Sequence, residues 1–291
     1  MNIYKGLGTA LVTPFKNSEV DYSAYTELVK RQVRAGVNFL VPLGTTAETP
    51  CLTIEEKIEL VRLTKDNAGN CPLLVGVGTN SLQSTIENIK LFEIHGADSF
   101  LVVTPYYNKP TQEGLYEYFK AVANSTSKPI VLYNVPGRTG VNMTAETTLR
   151  LANIDNIVAI KEASGNYSQI SKIIKDAPKD FFILSGNDEE TLSLMATGAH
   201  GVISVVSNIA PELVLELMKA MEAMDLDKAR ALHHKLYDLY KNCFIESNPI
   251  LVKAGLAAMG LIENELRLPL VPSSDTAYQI MSDTIKNLGL K

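Results

Sequence analysis

Lys161 closes an unbroken apolar run, Ile157-Val158-Ala159-Ile160, and is followed at once by the helix-forming stretch Glu162-Ala163-Ser164-Gly165. Continuous apolar runs suit parallel strands covered on both faces, and functional groups in parallel α/β folds gather at the carboxyl ends of the strands. A primary amine at such a tip is a candidate for Schiff-base chemistry, because burial withdraws the solvation that keeps an ammonium charged. Lysine is ordinarily a solvated surface cation, so neighbouring groups must carry the assignment. Three other runs end in Pro42-Leu43-Gly44-Thr45-Thr46, Thr104-Pro105-Tyr106-Tyr107-Asn108 and Tyr133-Asn134-Val135-Pro136-Gly137-Arg138. Gly44 with its two threonines offers N–H groups and hydroxyls to a small carboxylate, and equally makes a plain turn with capping hydroxyls. Tyr133 and Tyr107 are phenols able to relay protons, or packing residues with one satisfied hydroxyl. Arg138 is a rigid fork suited to a second carboxylate, or a surface arginine.

These groups form a site only if the chain brings them together. Eight short apolar runs occur, at Gly6–Val12, Phe39–Leu43, Leu73–Val77, Phe100–Val103, Ile130–Tyr133, Ile157–Ile160, Phe182–Leu184 and Val202–Val205. Amphipathic stretches lie between them: Tyr25, Leu28, Val29 and Val33 recur on one helical face. Thr53-Ile54-Glu55-Glu56 and Asn187-Asp188-Glu189-Glu190 each have the form of an N-cap with Glu three residues on, placing a helix start just after a strand end. Eight strand–helix units predict an α/β fold, a (β/α)8 TIM barrel, since eight right-handed crossovers close a parallel sheet on itself. In such a barrel all strand ends point one way, and neighbouring strands five and six put Tyr133 beside Lys161. After a last barrel helix near Pro211–Met224 the strands stop and three helices are predicted, one opened by Asn248-Pro249 as N-cap and N1. The expected division is a barrel over 1–224 and a C-terminal helical appendage over 225–291. No Gly/Ser-rich or Pro-rich linker separates the two, so the appendage is expected to pack on the barrel.

Composition narrows the partners. The 291 residues are 46% hydrophobic and carry 27 basic against 32 acidic side chains, a net charge of -5. That balance gives no attraction to nucleic acid or an anionic membrane, leaving small molecules. Met1–Phe15 has one lysine, an internal Pro14 and no long apolar core, and nowhere do 18 apolar residues run together, so a cytoplasmic protein is expected. Cys51, Cys71 and Cys243 are too scattered for a metal knuckle or redox pair, and reduced, mostly buried thiols follow. Gly76-Val77-Gly78 lacks the third glycine of a dinucleotide fingerprint, which disfavours nucleotide cofactors. His95 and His200 precede glycines at expected helix ends, where capping suits them. His233 and His234 are adjacent on a helix and point apart, so no metal is expected.

Gly44-Thr45-Thr46-Ala47-Glu48, Thr104-Pro105-Tyr106-Tyr107-Asn108-Lys109-Pro110, Tyr133-Asn134-Val135-Pro136-Gly137-Arg138-Thr139 and Ile160-Lys161-Glu162-Ala163 stand in order at barrel-strand spacing. Together they resemble the dihydrodipicolinate synthase family, within the N-acetylneuraminate lyase superfamily of class I pyruvate aldolases, over nearly the whole chain. The resemblance implies condensation of pyruvate with L-aspartate 4-semialdehyde on the route to diaminopimelate and lysine, with no cofactor beyond the covalent imine that pyruvate itself forms. Lys161 would form that imine and Tyr133 would shuttle protons within a relay of Tyr133, Thr45 and Tyr107. The last would reach a neighbouring subunit's site, implying a homotetramer built as a dimer of dimers. The N–H groups of Thr45 and Thr46 with the Thr46 hydroxyl would receive the pyruvate carboxylate, Arg138 the semialdehyde carboxylate, and the carbonyls of Gly186 and Ile203 would line the pocket. N-acetylneuraminate and 2-keto-3-deoxygluconate lyases share the lysine and tyrosine but resemble the chain less at Pro136-Gly137-Arg138; they are the alternative. A non-catalytic 2-oxo-acid binder should lack one member of the lysine, tyrosine and threonine set, and all are present. Lysine-inhibited members bind lysine with two histidines and a glutamate; the corresponding positions here are Ile54, Lys57 and a place near Ser84, with Asn80 retained. A cation and no carboxylate imply weak or absent inhibition by lysine.

Overall fold

The computed structural model describes residues 4–290; Met1 to Ile3, the start of the segment read above for a leader, lie outside it. Each of the eight apolar runs is a strand: β1 Gly6–Ala10, β2 Phe39–Val41, β3 Leu74–Gly76, β4 Ser99–Val103, β5 Ile130–Asn134, β6 Ile157–Glu162, β7 Phe182–Ser185 and β8 Gly201–Ser204. Pairing is parallel throughout in the order β2-β1-β8-β7-β6-β5-β4-β3. The two ends meet at the Leu40–Leu73 bridge, with the Leu40 N–H 2.9 Å from the Pro72 carbonyl and the Gly76 N–H 3.0 Å from that of Pro42. The sheet therefore closes into a barrel.

Alternation within apolar runs explains how both faces are filled. Ala10, Phe39, Val41, Leu74, Leu101, Val131, Tyr133, Ala159, Leu184 and Ile203 pack together inside the barrel. Their neighbours Leu7, Leu40, Val75, Phe100, Val102, Leu132, Ile160, Ile183 and Val202 belong to the outer cluster beneath the helices. Those helices are α1 Tyr22–Ala35, α2 Ile54–Asn67, α3 Leu82–Ile94, α4 Gln112–Ala123, α5 Ala145–Leu151, α6 Tyr167–Asp176, α7 Thr191–Thr197 and α8 Pro211–Glu222. On α1, Tyr25, Leu28 and Val29 are buried and Val33 packs partly buried beside them. The Thr53–Glu56 pair forms the reciprocal capping box expected at the start of α2.

Four local expectations give way. Glu162 is not a helix starter but the last, fully buried residue of β6, and α6 waits for the Asn166 cap. Its carboxylate takes the Ser164 N–H at 2.9 Å and the Asn134 amide at 3.1 Å, and these partners let a helix former end a strand. Asn187 opens only a 3-10 turn, Asp188–Glu190, without capping it through its side chain, and α7 starts at Thr191. His200 does not cap α7, which ends at Gly198; it leads into β8, and its Nδ1 accepts the Ile183 N–H at 3.1 Å. Burial lowers its pKa. Pro249, not Asn248, takes the cap position before the next helix, because the Asn248 side chain is turned to Thr46.

Beyond α8 come α9 Leu226–Asn242, α10 Ile250–Ala258 and α11 Asp275–Asn287. Leu236, Leu239, Leu251 and Met281 of these helices share one apolar cluster with Ile209 and Val214 of the barrel.

Candidate active site

β5 and β6 align Tyr133 with Lys161 across the ladder. The Lys161 Nζ lies 4.4 Å from the centre of the Tyr133 ring, and the two residues are only 6% and 7% exposed. Tyr133 in turn lines a cavity of about 530 Å³ together with Thr45, Lys57, Tyr106, Arg138 and Asn248. Thr45 and Thr46 sit in a 3-10 turn, Thr45–Ala47, after Gly44. The first N–H groups of such a turn have no partner within it, and face whatever anion lies ahead. The turn is braced by the Gly44 carbonyl, which accepts the Ala47 N–H at 3.1 Å and the Thr49 hydroxyl at 2.9 Å. The Thr46 Oγ1 accepts the Asn248 amide at 3.0 Å, which leaves the hydroxyl hydrogen free to be donated onward.

Arg138 stands at the exposed rim on a helical turn, Pro136–Thr139, with one guanidinium nitrogen 3.4 Å from the Asn248 carbonyl. Its loop is tied down by Asn134 at the end of β5, whose Oδ1 accepts the Met143 N–H at 3.0 Å while its amide holds Glu162. Burial pushes the Glu162 carboxyl above its usual range, offset in part by hydrogen bonds from Ser164, Asn134 and Gln169. Asp188 is likewise raised by burial, opposed by the N–H groups of Val205 and Val206 and by the Lys161 ammonium. Gly186 follows β7 and gives its N–H to the Glu162 carbonyl at 2.7 Å; a Cβ there would come within 2.6 Å of the Ala163 methyl, so the close approach requires glycine. Ile203 is fully buried on β8 with its side chain in the barrel interior.

The structure thus sets Thr45, Tyr133 and Arg138 around one cavity, with Lys161 beside Tyr133 on the next strand and Thr46 bonded to the cavity residue Asn248; Gly186 lies just past β7 and Ile203 on β8. Tyr107 is apart from them: it is 88% exposed at φ +71°, and its neighbour Tyr106 lines the cavity instead. Sequence reasoning missed Asn248, Asn134, Glu162 and Asp188 as site supports. For Asn248 the following proline was the signal, but it read as a helix start; the buried acids gave none, since Glu162 is held chiefly by the side chains of Asn134 and Gln169 and Asp188 by the N–H groups of Val205 and Val206, all supplied by the tertiary fold.

A closed parallel barrel with an amine sequestered beside a phenol at its carboxyl end defines a lyase of the class I aldolase type. The chain belongs to the dihydrodipicolinate synthetase family, whose sequence profile matches residues 3–288. It is 50% identical over 290 residues to the 4-hydroxy-tetrahydrodipicolinate synthase of Parabacteroides distasonis, an alignment covering 99% of this chain and 98% of that one. The crystal structure of dihydrodipicolinate synthase from Thermotoga maritima superimposes with a TM-score of 0.97 at 48% identity, covering 99% of both chains. The chloride-inhibited dihydrodipicolinate synthase of Acinetobacter baumannii, complexed with pyruvate, gives 0.96 at 40% identity over 99% of each.

Proposed function

We propose that this chain is a 4-hydroxy-tetrahydrodipicolinate synthase, condensing pyruvate with L-aspartate 4-semialdehyde through an imine on Lys161. The observation that carries the reading is the Lys161 amine held 4.4 Å from the Tyr133 ring within the buried barrel end. The amine adds to the pyruvate ketone, and loss of water gives an iminium that drains electron density from the methyl C–H bonds. Removal of one methyl proton yields an enamine whose carbon attacks the aldehyde, forming the new C–C bond and, after protonation, a hydroxyl. The acceptor's own amine can then add to the imine carbon, closing a six-membered ring and releasing Lys161. Ring closure accounts for a 4-hydroxy ring flanked by two carboxylates, the product for which the close relatives are named.

Tyr133 is assigned the proton transfers, with Thr45 as its partner in a relay. The Thr45 and Thr46 N–H groups and the Thr46 hydroxyl are assigned the pyruvate carboxylate, and Arg138 the semialdehyde carboxylate as a charge-assisted fork. Carbonyls of Gly186 and Ile203 complete the pocket wall. The imine needs no cofactor or metal. Tyr107, exposed and held in a left-handed turn, supports an assembly in which it completes a neighbour's relay, a homotetramer of paired dimers. The named product of the relatives supports a place in diaminopimelate and lysine synthesis, assigned to the cytoplasm; among the described residues no helix is long and apolar enough to cross a membrane.

The acceptor is tested by supplying pyruvate with L-aspartate 4-semialdehyde, N-acetylmannosamine or glyceraldehyde and following loss of pyruvate. Turnover with the semialdehyde alone is expected. Preference for a sugar aldehyde would transfer the chain to the sugar-acid lyases.

A further inference from the structure

Two lysines are buried among the described residues, and the reaction above uses only Lys161. The other, Lys253 on α10, has its Nζ 2.6 Å from the Glu48 carboxylate, with both side chains fully shielded from solvent. The second Glu48 oxygen accepts the Arg267 N–H at 3.1 Å, and the Lys253 ammonium lies 4.2 Å above the Phe15 ring. Burying two charges costs desolvation that their attraction often fails to offset, so a buried pair is poor evidence for stability alone.

Its place in the chain points to a different use. Glu48 joins the 3-10 turn Thr45–Ala47 to the next, Thr49–Cys51, at φ +53°, a conformation a glycine would adopt freely and a glutamate resists. Its N–H donates to the Thr45 carbonyl at 3.2 Å and its carbonyl accepts the Cys51 N–H at 2.8 Å. Asn248, on the same C-terminal segment as Lys253, holds Thr46 directly. Two contacts from the tail therefore fix the turn that carries Thr45 into the cavity wall.

We infer that Glu48 and Lys253 are positioning residues which set the affinity for the pyruvate carboxylate by locking the Thr45–Thr46 turn to the C-terminal helices. This rests on the reading of pyruvate as the imine-forming substrate. Neither residue touches reacting atoms; each acts through the turn. Donors aimed at a carboxylate lose strength steeply as their angles open, so loosening the turn weakens pyruvate binding while leaving the Lys161 amine in place.

The test compares E48Q, K253M and the E48Q/K253M double variant, which replaces the pair with uncharged side chains of similar size. In the double variant the pyruvate KM is expected to rise about tenfold, the worth of one charge-assisted hydrogen bond, with kcat and the aldehyde KM little changed. K253M alone strands a buried carboxylate and should have a higher pyruvate KM than the double variant, so that adding E48Q rescues it. E48Q keeps an acceptor for Lys253 and should show a smaller rise, which carries the test should the other variants fail to fold. An unchanged pyruvate KM in the folded variants, or parallel loss of kcat and both affinities, would overturn the inference. Borohydride trapping of pyruvate on the wild-type chain separates the two levels. Absence of the adduct overturns the functional reading and the pair's ligand with it; an adduct alongside unchanged KM values overturns the pair's role alone.

Discussion

Lys161 and Arg138 divide the substrates between them in this account, one buried against Tyr133 and the other on the rim. Arg138→Ala should therefore leave borohydride-trapped pyruvate on Lys161 intact while lowering kcat/KM for the semialdehyde by about ten- to a hundredfold, the range for a charged hydrogen bond. Lys161→Ala should abolish trapping. Equal loss of trapping in both variants would contradict the division. Lys57 supports a second expectation, because its ammonium lines the cavity wall near the start of α2, and its pKa is lowered by burial. A cation there disfavours an incoming lysine, so activity should persist at millimolar lysine; a steep loss below that would refute the reading. Lys161 and Tyr133 were legible because each ends an apolar run and a parallel register aligns such ends. Glu48 and Lys253 were not: 205 positions separate them, and no local pattern distinguishes a buried ion pair from two surface charges.

At the scale of elements, the eight strands could be read from uninterrupted apolar runs, and α2 from a capping box that the structure reproduces. What failed were boundaries decided by distant partners. Glu162 prolongs β6 because Asn134 receives its carboxylate, and Asn248 leaves the cap of α10 because Thr46 receives its amide. The seating of α10 has a pH signature. Lys253 is lowered from 10.5 to about 8, first by desolvation, against the favourable charge of Glu48 and Glu265 and with Arg267 opposing. Between these values the unfolded chain binds more protons than the folded one, so stability gains a contribution as pH rises through this window. The contribution is complete above 10.5 and lost as pH falls through about 8. Denaturant titrations should show the wild type gaining stability relative to E48Q/K253M from pH 8 to 10.5; a constant difference would contradict that protonation.

Taken whole, the chain is a barrel with its C-terminal helices fastened over one side of the mouth, through Asn248 to Thr46 and Lys253 to Glu48. The presence of a helical tail was readable from the end of the strand pattern. Its contacts with the site were not, because they join segments about two hundred residues apart, as the 202 separating Asn248 from Thr46 illustrate. Tyr107 belongs to this scale too, since a phenol that is 88% exposed on its own chain is available to a neighbouring one. Sedimentation should show a tetramer, and Tyr107→Phe should lower kcat by about a hundredfold, the usual worth of a proton-transfer group, without dissociating it. A fully active monomer would contradict both.

The central claim is the imine on Lys161. Incubating the protein with pyruvate and borohydride, followed by intact and peptide mass spectrometry, should give one reduced pyruvyl adduct confined to Lys161 and depleted when L-aspartate 4-semialdehyde is added. An adduct on another lysine, or none at saturating pyruvate, would contradict the account.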